Sequence, residues 1–337
     1  MRKKIIPGNN KSLWDAVKIA KDIEPTPLPT TVSKEGINYT GGDVPVAFSN
    51  FFKSKIVNLE KNLTTTEGVY NGRTFIKSEE VNFMTADRVS ECLNELKIKN
   101  CEGYDRIPMR ILKDGASILR NPLSVLFERI YEKKEIPEQW KVAKIIPLHK
   151  KGNKQDVANY RPISNLCSVS KVFEKLIQKR LEKIGEENNI DITGKQQHGF
   201  KKTRSTITAG LTVQSIISRK MDDDDFVVMS SLDLSAAFDL VNLNLLLKRL
   251  KKMGLPKDVT SLLEVWLRNR FFYVEANGHN SMVQNSDIGT VQGSILGPIL
   301  YALFIRPLYD LEKLTTFADD NYVIGYHKEK DLALKEL

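Results

Sequence analysis

Three aspartates are the residues of this chain best suited, by type and placement, to carry chemistry. Asp319 and Asp320 are adjacent after a short apolar run, and Asp233 ends a second apolar run. Carboxylates displayed together at strand ends can hold two divalent metal ions, an arrangement that supports phosphoryl transfer. A lone Asp-Asp pair in a turn is more often structural, because aspartate bonds to its own backbone there. The rest of the sequence must therefore discriminate between a metal site and an ordinary turn.

The local pattern predicts strands that would position these aspartates. A buried strand is expected to end at Asp233, and the chain then turns through residues 234–239 into a leucine-rich helix. Residues 314–317 and 322–326 are predicted to form a hairpin with the Asp-Asp pair at its tip. The glycines of residues 289–298 would let a ligand approach the backbone, although a tight strand-to-helix turn explains them almost as well.

A basic loop is predicted between two further strands. Residues 142–148 and 159–164 have extended patterns, and the connection between them contains Lys150 and Lys151. Together with Arg161, these cations could cover a triphosphate. An ordinary hairpin with a solvated tip has the same pattern, so both interpretations stay open.

Amphipathic patterns and capping residues predict the helices that would support these strands. They are placed at residues 12–23, 43–59 and 85–98, within 108–134, from Ser168 onward, at 257–268, and from 298 to about Leu311. The segment 108–134 is expected to bury Ile111, Leu112, Leu119, Leu123, Leu126 and Phe127. The helix from Ser168 is expected to turn its apolar face inward and its Lys/Arg face outward. Asn277-Gly278 is a strong hairpin signal.

The basic charge is concentrated in one region of the chain. There are 51 Lys+Arg and 42 Asp+Glu, and residues 129–220 hold 20 basic and 9 acidic groups, which makes this region +11 and the remainder −2. A basic region beside acidic metal ligands suggests a nucleic-acid substrate. A solvated surface explains the charge alone equally well. The acidic run 222–225 is expected to be a solvated turn, since no scaffold converges its carboxylates on a metal ion.

Cysteine content and hydropathy indicate in which cellular compartment the protein is expected. Cys92, Cys101 and Cys167 are odd in number, far apart and without a Cys-x-x-Cys pair, so neither a disulfide framework nor a zinc site is indicated. No apolar window approaches 18 residues, and the N-terminus has no signal-peptide core. The sequence therefore predicts a globular, intracellular protein that does not span a membrane.

Over about residues 100–326, the motifs in their order resemble the reverse transcriptase of non-LTR retrotransposons. The matching segments are the strand and basic loop at 140–151, Tyr160-Arg161-Pro162-Ile163-Ser164, Gln197-His198-Gly199-Phe200 with Ser205-Thr206, Asp233-Leu234-Ser235-Ala236-Ala237-Phe238-Asp239, Gln292-Gly293-Ser294-Ile295-Leu296-Gly297-Pro298, and Phe317-Ala318-Asp319-Asp320. A weaker similarity covers residues 43–59 with their aromatic pair Phe51-Phe52. Two positions depart from the family pattern: Val291 stands where proline is common, and Lys201 where arginine is common.

The resemblance implies an α+β right-hand polymerase fold with fingers and palm. It divides the chain into a helical N-terminal extension at residues 1–105, a basic fingers-like region at 106–225 and a palm at 226–337. The thumb of the family is expected to be absent from this segment. Endonuclease and thumb regions would belong to other parts of the same polyprotein.

The resemblance also implies roles for individual residues. Asp233, Asp319 and Asp320 would be catalytic and, with the carbonyl of Leu234, would hold two Mg²⁺ ions, with Mn²⁺ as the alternative. The residues expected to bind the nucleotide are Lys150, Lys151, Arg161, Ala236, Ala237, Phe238, Gln292 and Gly293. The Phe238 ring would lie beneath the incoming sugar and exclude a 2′-hydroxyl. The alternative is that Phe238 is simply the first core residue of its helix.

The function implied by the resemblance is that of an RNA-directed DNA polymerase segment. Its partners would be an RNA template, a DNA primer and dNTPs, and its action would be nuclear. Ala318 supports DNA synthesis, because RNA-copying RNA polymerases of similar palm design commonly have Gly-Asp-Asp at this hairpin. The alternative is a non-catalytic remnant that binds nucleic acid through its basic region.

Overall fold

The computed structural model describes residues 27–61, 74–75, 82–98, 102–234, 236–286, 289–290, 293–310 and 313–336. The predicted helix at 12–23 lies outside the described residues. The structure also does not describe three residues named above, Gln292, Val291 and Cys101.

Helices and strands both contribute to the fold, in agreement with the expected α+β class. The helices are α1 Asp43–Lys61, α2 Ala86–Glu95, α3 Met109–Asp114, α4 Ala116–Lys133, α5 Ser168–Glu187, α6 Thr206–Asp222, α7 Leu243–Lys252, α8 Lys257–Leu267, α9 Gly297–Phe304 and α10 Lys330–Lys335. The strands are β1 Thr31–Lys34, β2 Ile37–Thr40, β3 Val142–His149, β4 Tyr160–Asn165, β5 Phe226–Asp233, β6 Arg270–Ala276, β7 His279–Asn280, β8 Gln284–Ser286, β9 Leu314–Phe317 and β10 Asp320–His327. Among the described residues, no helix is both long and apolar enough to cross a bilayer.

One sheet carries the aspartates. Its strand order is β5-β10-β9, with both pairings antiparallel, and β9 and β10 form the predicted hairpin. The expectation that β5 is buried is wrong, because Phe226, Met229 and Leu232 are each about half exposed. β5 is an edge strand whose faces are only partly covered by α6 and the short helix α10. A hydrophobic run alone cannot distinguish such an edge from the centre of a sheet.

A second sheet carries the basic hairpin. Strands β3 and β4 pair antiparallel as predicted, and β6 joins β3 in parallel. The Asn277-Gly278 turn links β6 to β7, and both of its residues have positive φ, 52° and 79°. These angles are those of the tight turn for which Asn-Gly is preferred, so this hairpin is confirmed.

The front of the chain contains a hairpin that the pattern did not predict. β1 and β2 pair around Glu35-Gly36, whose φ angles are 52° and 82°. Glutamate is not a residue favoured at positive φ, so the turn had no clear signal in the sequence. The predicted helices at 43–59 and 85–98 correspond to α1 and α2, and α2 is capped by the side chain of Thr85.

The segment 108–134 is helical, but two of its predicted core residues are not buried. Ile111 is 59% exposed and Leu126 39% exposed, whereas Leu112, Leu123 and Phe127 are buried as expected. Gly115 separates α3 from α4, so the helical period restarts there. Ile111 and Leu126 each directly precede a buried residue of the same helix, so they lie at the solvent edge of its apolar face.

Helix α5 is the central element of the main core. Its Phe173 ring contacts Phe127, Trp140 and Trp266, with centroid distances of 5.4, 5.9 and 5.9 Å. The Lys/Arg face of α5 was expected to point to solvent, but part of it contacts α2. Lys179 pairs with Glu91 and Glu95 of α2, at 3.3 and 2.6 Å. Part of the regional positive charge is therefore matched by carboxylates from the front of the chain.

Candidate active site

The strand register brings two of the predicted aspartates together. Asp233 is the last residue of β5, and Asp320, the first of β10, lies directly opposite it. Residues so paired have Cα atoms about 4.5–5.5 Å apart. Asp319 lies directly before Asp320, in the two-residue turn Ala318–Asp319 that connects β9 to β10. All three predicted catalytic aspartates thus lie at one end of this sheet.

The side chains of this set do not converge as a complete metal site. In the part of the chain that the structure describes, no group of three His, Cys, Asp or Glu side chains is placed to hold a metal ion. Carboxylate oxygens are nevertheless the ligands that Mg²⁺ prefers, and the backbone arrangement suits them. Leu234, whose carbonyl was the fourth predicted ligand, directly follows β5. The donor types and the backbone fit the ions, while the side-chain arrangement for holding them stays a prediction.

The acidic run at the end of α6 is exposed at Asp222, Asp223 and Asp224, as expected of a solvated turn, and only Asp225 departs from this. Asp225 pairs with Lys328 at 3.2 Å and with Lys220 at 3.7 Å, and its side chain is only 10% exposed. These ion pairs attach the end of α6 to the segment after β10. Asp225 is therefore the member of the run with a structural role.

The turn after β5 presents main-chain donors beside the aspartates. Ala236 has φ 53°, and its carbonyl accepts from the N–H groups of Asp239 and Leu240 at 2.9 and 3.0 Å. The N–H groups of Ala236 and Ala237 donate to no acceptor within the described residues. Their predicted role, hydrogen bonding to the oxygens of a nucleotide, stays a prediction.

Phe238 packs between the core and the surface. Its ring lies 4.6 Å from that of Tyr301, which is buried, and 5.9 Å edge-on from that of Phe200, which is 58% exposed. Its carbonyl accepts from Thr290 N–H at 2.8 Å. The ring thus has a core contact and remains half-buried, but Phe238 lies in the turn 236–240 and not in a helix, since α7 begins at Leu243. Its role toward a sugar stays a prediction.

Two glycines of the run 289–298 serve backbone packing within the protein. A Cβ on Gly293 would lie 2.5 Å from the Ser164 carbonyl oxygen, and one on Gly289 would lie 2.5 Å from that of Asp239. Both have positive φ, 92° and 83°. Gly293 thereby joins the loop before α9 to the end of β4, the strand that carries Arg161.

A buried carboxylate organises the same loop, and no role was predicted for it. Glu174 of α5 is fully buried and accepts hydrogen bonds from Ser294 Oγ, Ile295 N and Leu296 N, at 2.5, 2.6 and 3.1 Å. Burial raises the pKa of Glu174, and these hydrogen bonds oppose the rise. The only signal in the sequence was an acidic residue directly after the apolar pair Val172-Phe173.

The basic hairpin presents cations on an ordered loop. Lys150, Lys151 and Arg161 are exposed, and they form no ion pair with any described residue. Lys150 N donates to Asn159 O at 2.8 Å, closing the loop. Ser33 N of β1 donates to Gln155 O at 2.6 Å and attaches the loop to the front of the chain. Exposed cations on this loop and on the adjoining strand suit a polyanionic ligand.

Comparisons with known proteins agree with the motifs. Residues 148–337 match the family model described as reverse transcriptase (RNA-dependent DNA polymerase). The chain is 31% identical over 245 residues to the probable RNA-directed DNA polymerase from transposon BS of Drosophila melanogaster, covering 69% of this chain and 27% of that protein. It is 27% identical over 341 residues to the RNA-directed DNA polymerase from mobile element jockey of the same organism, covering 95% of this chain and 36% of that protein. A third similar protein is the probable RNA-directed DNA polymerase from transposon X-element, 36% identical over 207 residues, with coverage of 59% and 22%. The chain spans between about a fifth and a third of the length of these relatives.

Proposed function

Because this chain belongs to the reverse transcriptase family, we propose that it is the catalytic segment of an RNA-directed DNA polymerase from a non-LTR retrotransposon. The observation that carries the proposal is the register in which Asp233 and Asp320 lie opposite each other, with Asp319 in the adjoining turn. Aspartates from distant parts of the chain thus lie at one end of a sheet, close in sequence to the main-chain N–H groups of the turn 236–240. The substrates would be dNTPs, with an RNA template and a DNA primer as partners.

In this proposal the aspartates hold the divalent ions. Asp233, Asp319 and Asp320, with the Leu234 carbonyl, would bind two Mg²⁺ ions, or Mn²⁺. Such ions, when bound, activate the primer 3′-hydroxyl and neutralise charge on the leaving pyrophosphate.

The remaining roles are binding and orientation. Lys150, Lys151 and Arg161 would neutralise the triphosphate. The N–H groups of Ala236 and Ala237 would orient its oxygens. Gln292 and Gly293 would line the nucleotide site. The Phe238 ring would lie beneath the sugar and disfavour a ribonucleotide.

We assign the β3–β4 hairpin to the fingers and the β5-β10-β9 sheet to the palm. The proposed regions are an N-terminal extension at 1–105, fingers at 106–225 and palm at 226–337. Since the relatives are longer, endonuclease and thumb regions of one polyprotein would act together with this segment, in the nucleus.

The test is primer extension on poly-rA/oligo-dT with Mg²⁺. The wild type should extend with dTTP and not with UTP, and Asp319→Asn should lower the rate by about a thousand-fold or more, since it removes a metal-ligating charge. Asp224→Asn is the matched control: it changes an exposed turn aspartate with φ 58°, a conformation that asparagine tolerates. Circular dichroism and thermal melting establish that each variant is folded.

Two outcomes would contradict the proposal. Equal rates for the wild type and Asp319→Asn would refute the site assignment. No extension by a folded wild-type chain would leave the alternative, a nucleic-acid-binding segment without catalysis. The observation that favours this alternative is the lack of a converged three-carboxylate group among the described residues.

A further inference from the structure

We propose that Gln197 is a positioning residue, whose buried side-chain amide holds the turn Ala318–Asp319 in the conformation that presents Asp319. Its catalytic consequence rests on the function proposed above. The positioning itself does not, because it is a property of the folded chain.

The amide of Gln197 contacts the turn through both of its polar atoms. Its Oε1 accepts from Ala318 N at 2.8 Å, and its Nε2 donates to Ala318 O at 3.1 Å. The same Oε1 accepts from Gly199 N at 2.7 Å, and Nε2 also donates to Tyr309 Oη at 3.2 Å. With Gln197 only 1% exposed, water does not compete for these bonds. One buried side chain thus binds both main-chain polar groups of the residue before Asp319.

The backbone around Gln197 fits the hairpin equally closely. His198 N donates to Thr316 O at 2.8 Å, and Thr316 N donates to Gln196 O at 3.0 Å, so the segment pairs with β9. A Cβ on Gly199 would lie 2.4 Å from Ala318 N. The segment 196–199 therefore forms a close-fitting support along β9 as far as the turn.

The turn requires such support. Ala318 has φ 57°, a left-handed conformation that is disfavoured for a residue with a Cβ. Its neighbour Asp319 has its carbonyl bound by Asn321 Nδ2 at 2.7 Å, so the turn is held from both sides, by Gln197 at Ala318 and by Asn321 at Asp319. The hydrogen bonds from Gln197 select this conformation of Ala318, because they satisfy both its N–H and its C=O there. Asp319 and the start of β10 then keep a fixed orientation toward Asp233.

The test compares Gln197→Met with Gln196→Met. Methionine has nearly the length of glutamine but cannot replace its hydrogen bonds. Gln196 is a matched control because it is adjacent and half-buried, and its side chain donates to Tyr309 O at 2.8 Å without contacting the turn. Gln197→Glu is a second variant that keeps the volume and an acceptor but loses the donor. Thermal melting selects the variants that are folded.

The first measurement is hydrogen exchange in the metal-free protein, read on a peptide spanning residues 314–320. Exchange should be faster in Gln197→Met than in the wild type, intermediate in Gln197→Glu and unchanged in Gln196→Met. Unchanged exchange in folded Gln197→Met would overturn the inference, whatever the catalytic activity. If only Gln197→Glu folds, unchanged exchange in that variant has the same meaning.

The second measurement is primer extension, separated into kcat and KM for dTTP. Misplacement of a reacting group by a fraction of an ångström costs on the order of 10- to 100-fold. Gln197→Met should lose about this factor in kcat at unchanged KM, and Gln196→Met should match the wild type. An active wild type with equal kcat in both variants would overturn the inference. An inactive wild type would overturn the proposed function, while the exchange data would still decide the role of Gln197.

Discussion

Asp239 is a titratable residue that lies in a largely apolar environment and has no role in the proposed chemistry. It lies in a cavity between α1 and the second sheet, beside the apolar side chains of Phe52, Ile145 and Phe272. Burial raises the pKa of its carboxyl to about 6, and the charge of Lys55 only partly opposes this. The charged form is therefore less stable in the folded protein than in the unfolded chain.

This environment predicts a pH-dependent stability. A raised folded-state pKa means that stability falls as the pH rises from about 4 to about 6, because the unfolded chain loses its proton first. Asp239→Asn removes that titration. It should stabilise the protein by roughly 1–3 kcal/mol at pH 7.5, with a gain that shrinks toward pH 4.5. Urea unfolding at several pH values measures this, and a gain independent of pH would contradict it.

At the scale of secondary structure, Glu174 connects two helices and a loop. From α5 it accepts three hydrogen bonds from the residues that lead into α9. The guanidinium of Arg270, also buried, lowers the pKa of Glu174 against the larger effect of burial. This carboxylate thus fixes the loop that contains Gly293 and Ser294.

Glu174→Ala should lower the free energy of unfolding by at least about 3 kcal/mol, because three donors would lose their acceptor in a buried site. Glu182→Ala on the same helix is the control. Glu182 is exposed, and its only hydrogen bond with a described residue is from Gln178 Nε2, so a change within about 0.5 kcal/mol is expected. Urea unfolding compares the two variants, and equal losses would show that the loop does not depend on Glu174.

At the scale of the whole molecule, the described residues form two hydrophobic cores. The larger includes α2, α4, α5, α7, α8 and α9, and the smaller joins β1 and α1 to the second sheet. Phe48 of α1 is fully buried in the smaller core, and its ring lies 4.8 Å edge-on from that of Tyr160. Tyr160 precedes Arg161, so the front of the chain supports the strand that carries a proposed triphosphate ligand.

Phe48→Ala should therefore destabilise the protein by about 3–5 kcal/mol, as expected for a buried aromatic residue. Phe51→Ala is the matched control, since Phe51 lies one turn away on α1 and is only half-buried. A loss smaller by at least half is expected there, because less apolar surface leaves the core. Denaturant unfolding measures both, and equally small losses would mean that the front of the chain folds independently of the second sheet.

The sequence by itself determined those elements whose signal is local. The Asn277-Gly278 hairpin, the hairpin at 314–326 and the amphipathic helix from Ser168 follow from turn chemistry and periodicity, which act over a few residues. The order of the motifs also identified the family. The aspartates could be named as a set because each one follows a strand-like run.

Only the tertiary structure decided which distant groups meet. The pairing of Asp320 with Asp233, the contact of Gln197 with Ala318, the hydrogen bonds of Glu174 and the ion pairs of Lys179 all join residues far apart in the chain. The exposure of β5 likewise depends on what covers the sheet. Local propensity cannot contain such contacts, because their geometry is fixed by packing between elements and by the need to satisfy every buried polar group.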